Sequence, residues 1–171
     1  MQSHIRTGRV AVVHPAHKVS AEISRDYLQR WLRGKGKSDE LITKLNSLLD
    51  RSQIKTRYIL LSPDEVLEPR DFHTTNQQYI KASIELGTRA VREALDANEI
   101  HPKDVDMFIS VSCTGFSIPG VDAYIMNRLG ISSARMILTE HGCAGGAVGL
   151  MRAWEYCKAY PDRTVVLLAH E

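Results

Sequence analysis

At 171 residues, with 43% hydrophobic and 25% charged side chains, the chain is long enough for one buried core and short for two. Its net charge of +2 gives no strong basic or acidic excess, so neither nucleic acid nor an anionic membrane is expected as a partner. The three cysteines, Cys113, Cys143 and Cys157, are odd in number and contain no CxxC pair; they suggest neither a disulfide framework nor a zinc site and fit a reducing, cytoplasmic setting.

Residues 1–6 lack the apolar run of a secretory signal, and apolar stretches such as 59–61 and 165–169 are far too short to span a bilayer. Val10-Ala11-Val12-Val13 reads as a first buried strand ended by His14-Pro15. Ser20 is placed to cap a helix carrying Ile23, Tyr27, Leu28, Trp31 and Leu32 on one face and stopping at Gly34. After a basic loop, Ser38 is placed to cap a second helix, with Asp39 and Glu40 in its first turn and Leu41, Ile42, Leu45, Leu48 and Leu49 on its apolar face. Residues 1–60 thus form a strand and helical extension ahead of an α/β portion at 61–171.

Pro63, Pro69 and dense charge make 62–73 a loop. A long helix follows, with Ile80, Ile84, Gly87, Val91, Ala94 and Leu95 at helical spacing, and His101-Pro102 ends it. From there strand 105–111, helix 121–129, strand 136–139, helix 144–160 and strand 164–169 alternate over short connections. That alternation predicts an α/β architecture with a largely parallel sheet covered on both faces.

Cys143 stands between an apolar strand and a helix that opens Ala144-Gly145-Gly146-Ala147, so its thiol faces a helix N-terminus. Free backbone N–H groups and the positive dipole end favour the thiolate, the form that attacks carbonyl carbon. The small residues leave room for a substrate above the sulfur. The same pattern also suits a core thiol beside a tightly packed helix, and the local spacing leaves both readings open.

Three motifs in register carry a resemblance. Val111-Ser112-Cys113-Thr114-Gly115-Phe116-Ser117-Ile118-Pro119-Gly120, followed by Asn127-Arg128-Leu129-Gly130, resembles the type III polyketide synthases, the chalcone-synthase-like condensing enzymes of the thiolase fold, and most closely their bacterial members. The Gly142-Cys143 elbow follows at the family's distance, residues 164–171 look like the strand after the nucleophile helix, and residues 50–58 resemble the segment closing the N-terminal helices. The resemblance implies the first half of a duplicated thiolase-like α/β sandwich. The histidine and asparagine that work with the family's nucleophile belong to a second half, so the 171 residues are expected to be part of a longer enzyme or to meet their other half on another polypeptide.

By the same resemblance, Cys143 is the nucleophile that accepts an acyl group from a coenzyme A thioester, its own N–H helping to hold the oxyanion. Cys113 lines the polyketide cavity, with Thr114 and Phe116 shaping it. Ile118 crosses a homodimer interface into the partner's cavity wall, or else anchors its own loop. Lys44 and Arg51 match positions that hold coenzyme A phosphates, although the intervening family arginine is Ser47 here; otherwise they are a solvated helix face. His141 has no family role and, across a sharp elbow, is read as a surface or locally satisfied histidine. Cys157 is a core residue.

The function so implied is acyl loading from a starter acyl-CoA followed by decarboxylative condensation with malonyl-CoA, with no metal and no organic cofactor. The alternatives are a ketoacyl-acyl-carrier-protein synthase of the same superfamily and a non-catalytic half-domain with a structural or dimerisation role. Alone, the 171 residues are expected to be inactive and prone to associate through an uncovered sheet edge and apolar face.

Overall fold

A computed structural model describes residues 5–171. Residues 1–4, part of the stretch read above as lacking a secretory signal, lie outside the described residues. The chain divides into two compact units, one of His14–Arg70 and the other of Asp71–Glu171 with the segment up to Val13.

In the smaller unit, β1 (His17–Ser20) pairs antiparallel with β2 (Thr56–Ile59). Between them lie α1 (Ala21–Gly34) and α2 (Asp39–Ser52). Both helices start as the sequence predicts. Ser20 Oγ accepts the Ile23 N–H at 3.2 Å, and Ser38 Oγ accepts the Leu41 N–H at 3.3 Å. Such caps satisfy donors that have no intrahelical partner and contribute about 1 kcal/mol each. Leu32 and Ile42 are buried, and Arg25 of α1 pairs with Asp50 of α2.

Two expectations for this part of the chain are corrected. Residues 62–73 are not wholly loop: α3 (Pro63–Leu67) forms because Ser62 and Glu65 make a reciprocal capping box with Pro63 at the first helical position. The apolar run Val10-Ala11-Val12-Val13 is not a strand, and Val10 and Val12 are 80% and 67% exposed. Strand propensity needs a ladder partner, and the described strands pair elsewhere.

In the larger unit, α4 (Phe72–Ala97), capped by Asp71 through the Thr74 N–H at 2.6 Å, precedes a 3-10 turn at Pro102–Asp104 and β3 (Met107–Val111). Then come α5 (Val121–Leu129), β4 (Ala134–Leu138), a second 3-10 turn at Gly142–Ala144, α6 (Gly145–Ala159) and β5 (Val165–Ala169). The sheet is parallel in the order β4-β3-β5, with Ile109 of β3 level with Met136 and Leu167.

The centre strand is covered on both faces, as the continuous apolar run requires. Phe108 joins Ile84, Val91, Leu95, Ile125 and Leu168 in the core beneath α4 and α5. On the other face α6 lies directly on the strands through Gly145 and Gly149. A Cβ on Gly145 would stand 2.6 Å from Val111 Cγ1, and one on Gly149 would stand 2.7 Å from Leu167 Cδ1. Gly130, at φ +70°, ends α5 in the left-handed region, and Ile131 N–H closes back on Met126 O at 2.9 Å. Among the described residues, no helix is long and apolar enough to cross a membrane.

Candidate active site

The parallel strands end together at Val111, Leu138 and Ala169, the edge at which open α/β sheets place their ligand crevices. Cys113, two residues beyond β3, is exposed there, and Cys143 is exposed in the 3-10 turn that leads into α6. Two positive φ angles, +67° at Glu140 and +50° at Gly142, swing the chain from β4 through that turn. Among the described residues, no side chain makes a capping hydrogen bond to either the turn or α6. Cys157 is half-buried further along α6, its Sγ 3.9 Å from Arg163 O, and burial pushes its thiol up.

His141 is exposed, and its Nδ1 lies 2.7 Å from Thr139 O. A ring nitrogen engaged with backbone two residues back is occupied with holding the turn.

The loop after β3 is fastened to α4. Asn76 brackets Phe116 with two hydrogen bonds, Asn76 Nδ2 to Phe116 O at 2.8 Å and Phe116 N–H to Asn76 Oδ1 at 2.9 Å. Tyr79 Oη and Ser112 Oγ are 2.7 Å apart, and Gly115 lies flat on the Tyr79 ring, where a Cβ would come within 2.1 Å of Cδ1. Burial pushes the Tyr79 phenol up. Held from below in this way, the loop presents Thr114, Phe116 and Ile118 outward; Ile118 is 82% exposed and joined to Pro119 by a cis peptide.

A second fastening comes from the end of β5. Glu171 accepts the Cys113 N–H at 3.1 Å on Oε1 and 3.4 Å on Oε2, Cys113 Sγ lies 3.5 Å from Oε1, and the Thr114 hydroxyl donates to Oε2. The Cys113 thiol is raised, first by its hydrogen bond to Glu171, then by desolvation, by the Glu171 charge and by Cys143. His170, beside it, lies 3.1 Å through Nε2 from Ser110 Oγ and stacks on Tyr79. Asn76, Tyr79, His170 and Glu171 were not singled out by the sequence reading. His170 and Glu171 lie just past a parallel strand, the kind of position at which open α/β sheets place their ligand crevices, and that signal could have found them.

In the smaller unit, Lys44 and Arg51 are exposed on α2 and share a shallow groove of ≈ 480 Å³ with Glu40, Thr43, Ser47 and Leu48. Those six residues recur at helical spacing along one face, so the groove follows α2. Among the described residues, no group of three or more His, Cys, Asp or Glu side chains is placed to hold a metal ion.

The exposed Cys143 thus lies on the turn into α6, beside the ends of a parallel sheet whose loop after β3 is fastened to α4 and to the end of β5. The chain belongs to the chalcone and stilbene synthase family: residues 9–171 match its N-terminal domain. It is 28% identical to 1,3,6,8-tetrahydroxynaphthalene synthase of Streptomyces griseus over 95% of its length, which is 43% of that protein. It is 30% identical to type III polyketide synthase C of Arabidopsis thaliana over 92% of its length, again 43% of the relative. The crystal structure of 1,3,6,8-tetrahydroxynaphthalene synthase from Streptomyces coelicolor A3(2), a bacterial type III polyketide synthase, superposes with a TM-score of 0.84 at 27% identity, over 95% of this chain and 46% of that one. The fold is therefore the N-terminal portion of a thiolase-like architecture, and the chain spans less than half the length of these relatives.

Proposed function

We propose that the chain is the N-terminal part of a type III polyketide synthase in which Cys143 takes an acyl group from a coenzyme A thioester and releases it into condensation with malonyl-CoA. The observation that carries this reading is the exposed Cys143 sulfur at the uncapped start of α6, in a chain of the chalcone and stilbene synthase family. The Cys143 thiolate adds to the thioester carbonyl, backbone N–H groups at the turn hold the oxyanion, and coenzyme A leaves as its thiolate and takes up a proton. Loss of carbon dioxide from malonyl-CoA gives an enolate carbon that attacks the Cys143 thioester. The new carbon–carbon bond expels the Cys143 thiolate and leaves a β-ketoacyl-CoA.

Cys113, Thr114 and Phe116 form part of the cavity wall in this reading, and Ile118 reaches toward the second subunit of a homodimer. Lys44 and Arg51 would receive coenzyme A phosphates along the α2 groove, where both cations lie on one helix face. Glu40 in the same groove opposes a phosphate. On this reading the phosphate would sit nearer the Arg51 end.

The test is to incubate the full-length protein with an acyl-CoA and carbon-labelled malonyl-CoA. Labelled carbon dioxide and a chain-extended product are expected from the wild type, with no product from Cys143→Ala. Product formation at the wild-type rate by Cys143→Ala would overturn the reading.

A further inference from the structure

Two exposed thiols, Cys113 and Cys143, stand at the same end of the sheet, near enough that Cys143 acts electrostatically on Cys113. Their surroundings differ. Cys113 is held by a carboxylate that accepts from its N–H, lies 3.5 Å from its Sγ and accepts from the hydroxyl of the next residue. Among the described residues, no side chain caps the turn that carries Cys143.

We propose that Glu171 is a positioning residue that holds the Cys113 sulfur as a hydrogen-bond-donating thiol, so that of the two neighbouring cysteines only Cys143 accepts an acyl group. The inference rests on the reading of Cys143 as the acyl acceptor and adds the device that keeps the second thiol out of the chemistry.

The geometry gives the carboxylate two actions on Cys113. The main-chain bond from the Cys113 N–H fixes where the side chain starts, and the Thr114 hydroxyl holds the same carboxylate from its other oxygen. The Sγ contact then puts a negative charge where a thiolate would form. A unit charge about 4 Å away costs a like charge roughly fivefold in population even in water-like surroundings. Because the thiolate is the attacking form, the nucleophilicity of Cys113 falls by the same factor. The raised Cys113 thiol, with Glu171 as its first cause, agrees with this. The ionisable groups facing Cys113 are Glu171 from the end of β5, Cys143 from the turn before α6 and Tyr79 from α4. A cysteine serving only as cavity wall needs no carboxylate partner.

The experiment measures iodoacetamide alkylation rates of Cys113 and Cys143 separately, by peptide mass spectrometry, in the full-length protein between pH 6.5 and 9.5. Glu171→Gln keeps the size and one oxygen acceptor but removes the charge, and Glu171→Asp keeps the charge. The expected result is Cys113 alkylation about fivefold faster in Glu171→Gln at pH 7.5, with its pH profile displaced to lower pH. Glu171→Asp should stay near wild type, and the Cys143 rate should remain unchanged throughout. An unchanged Cys113 rate in Glu171→Gln overturns the proposal. So does equal acceleration in both variants, which assigns Glu171 a purely structural role, or equal acceleration of both cysteines, which marks a loosened loop. Failure of the underlying reading looks different: wild-type protein would then carry no acyl group on Cys143, whatever the Cys113 rate.

Discussion

Gly149 of α6 lies so close to Val111 of β3 that a Cβ on it would stand 2.9 Å from Val111 Cγ2 and 2.7 Å from Leu167 Cδ1. Val111 is β-branched and buried, so it has little freedom to give way. The glycine sets the height of α6 above the sheet, and with it the position of the turn bearing Cys143, six residues earlier.

Gly149→Val should therefore destabilise the protein by about 1–3 kcal/mol through overpacking. It should also slow labelling or acylation of Cys143, although the substitution is nearly two helical turns from the thiol. Thermal unfolding and a Cys143 alkylation rate check both parts. A variant with unchanged stability and rate would show that α6 has slack against β3.

Asp122 in the first turn of α5 has no exposed surface, and its Oδ2 accepts from Arg135 Nη1 at 2.8 Å, while Oδ1 has no hydrogen-bond partner among the described residues. The helix N-terminus supplies part of its stabilisation. Arg135 is half-exposed, which screens the pair, yet removing it strands a buried carboxylate. Arg135→Ala should cost about 2 kcal/mol. The double variant Arg135→Ala with Asp122→Asn should recover part of that loss. Chemical denaturation of the two variants decides, and equal stability of the single and double variants contradicts the pairing argument.

His170 is mostly buried, and burial pushes its imidazole below the ordinary 6.5 even though Glu171 and Asp122 pull in the other direction. The unfolded chain therefore takes up the proton first as pH falls, and the folded state loses stability below about pH 6.5. Asp71 and Asp106 are held below the usual 3.8 by the Thr74 and Thr164 N–H groups, so their losses fall at more acid pH. His170→Gln should flatten the drop in denaturation midpoint between pH 7.5 and 5.5 relative to wild type. An identical drop in the two proteins would remove His170 from the account.

What the sequence made legible was local. Ser20 and Ser38 cap the helices they precede, 121–129 is helical as the sequence predicts, and the Gly142-Cys143 turn stands at the start of α6. Each of those signals lies within a few residues of its effect. The misses involve partners that periodicity does not report. Val10 and Val12 have the composition of a strand but stand exposed without a ladder. Glu171 reaches a cysteine 58 positions away, and Asn76 holds a loop 40 positions on. The capping box at Ser62 and Glu65 was within reach of the sequence, and the prolines and charges around it masked it.

The central claim is that Cys143 carries the acyl group, and the most direct measurement is the site of the covalent adduct. The full-length protein is incubated with an acyl-CoA without malonyl-CoA, quenched in acid, digested and analysed by mass spectrometry. The account predicts the acyl mass on the peptide containing Cys143, none on those containing Cys113 or Cys157, and no adduct in Cys143→Ala. An acyl group on Cys113 in the wild type, or an adduct that persists in Cys143→Ala, would contradict it.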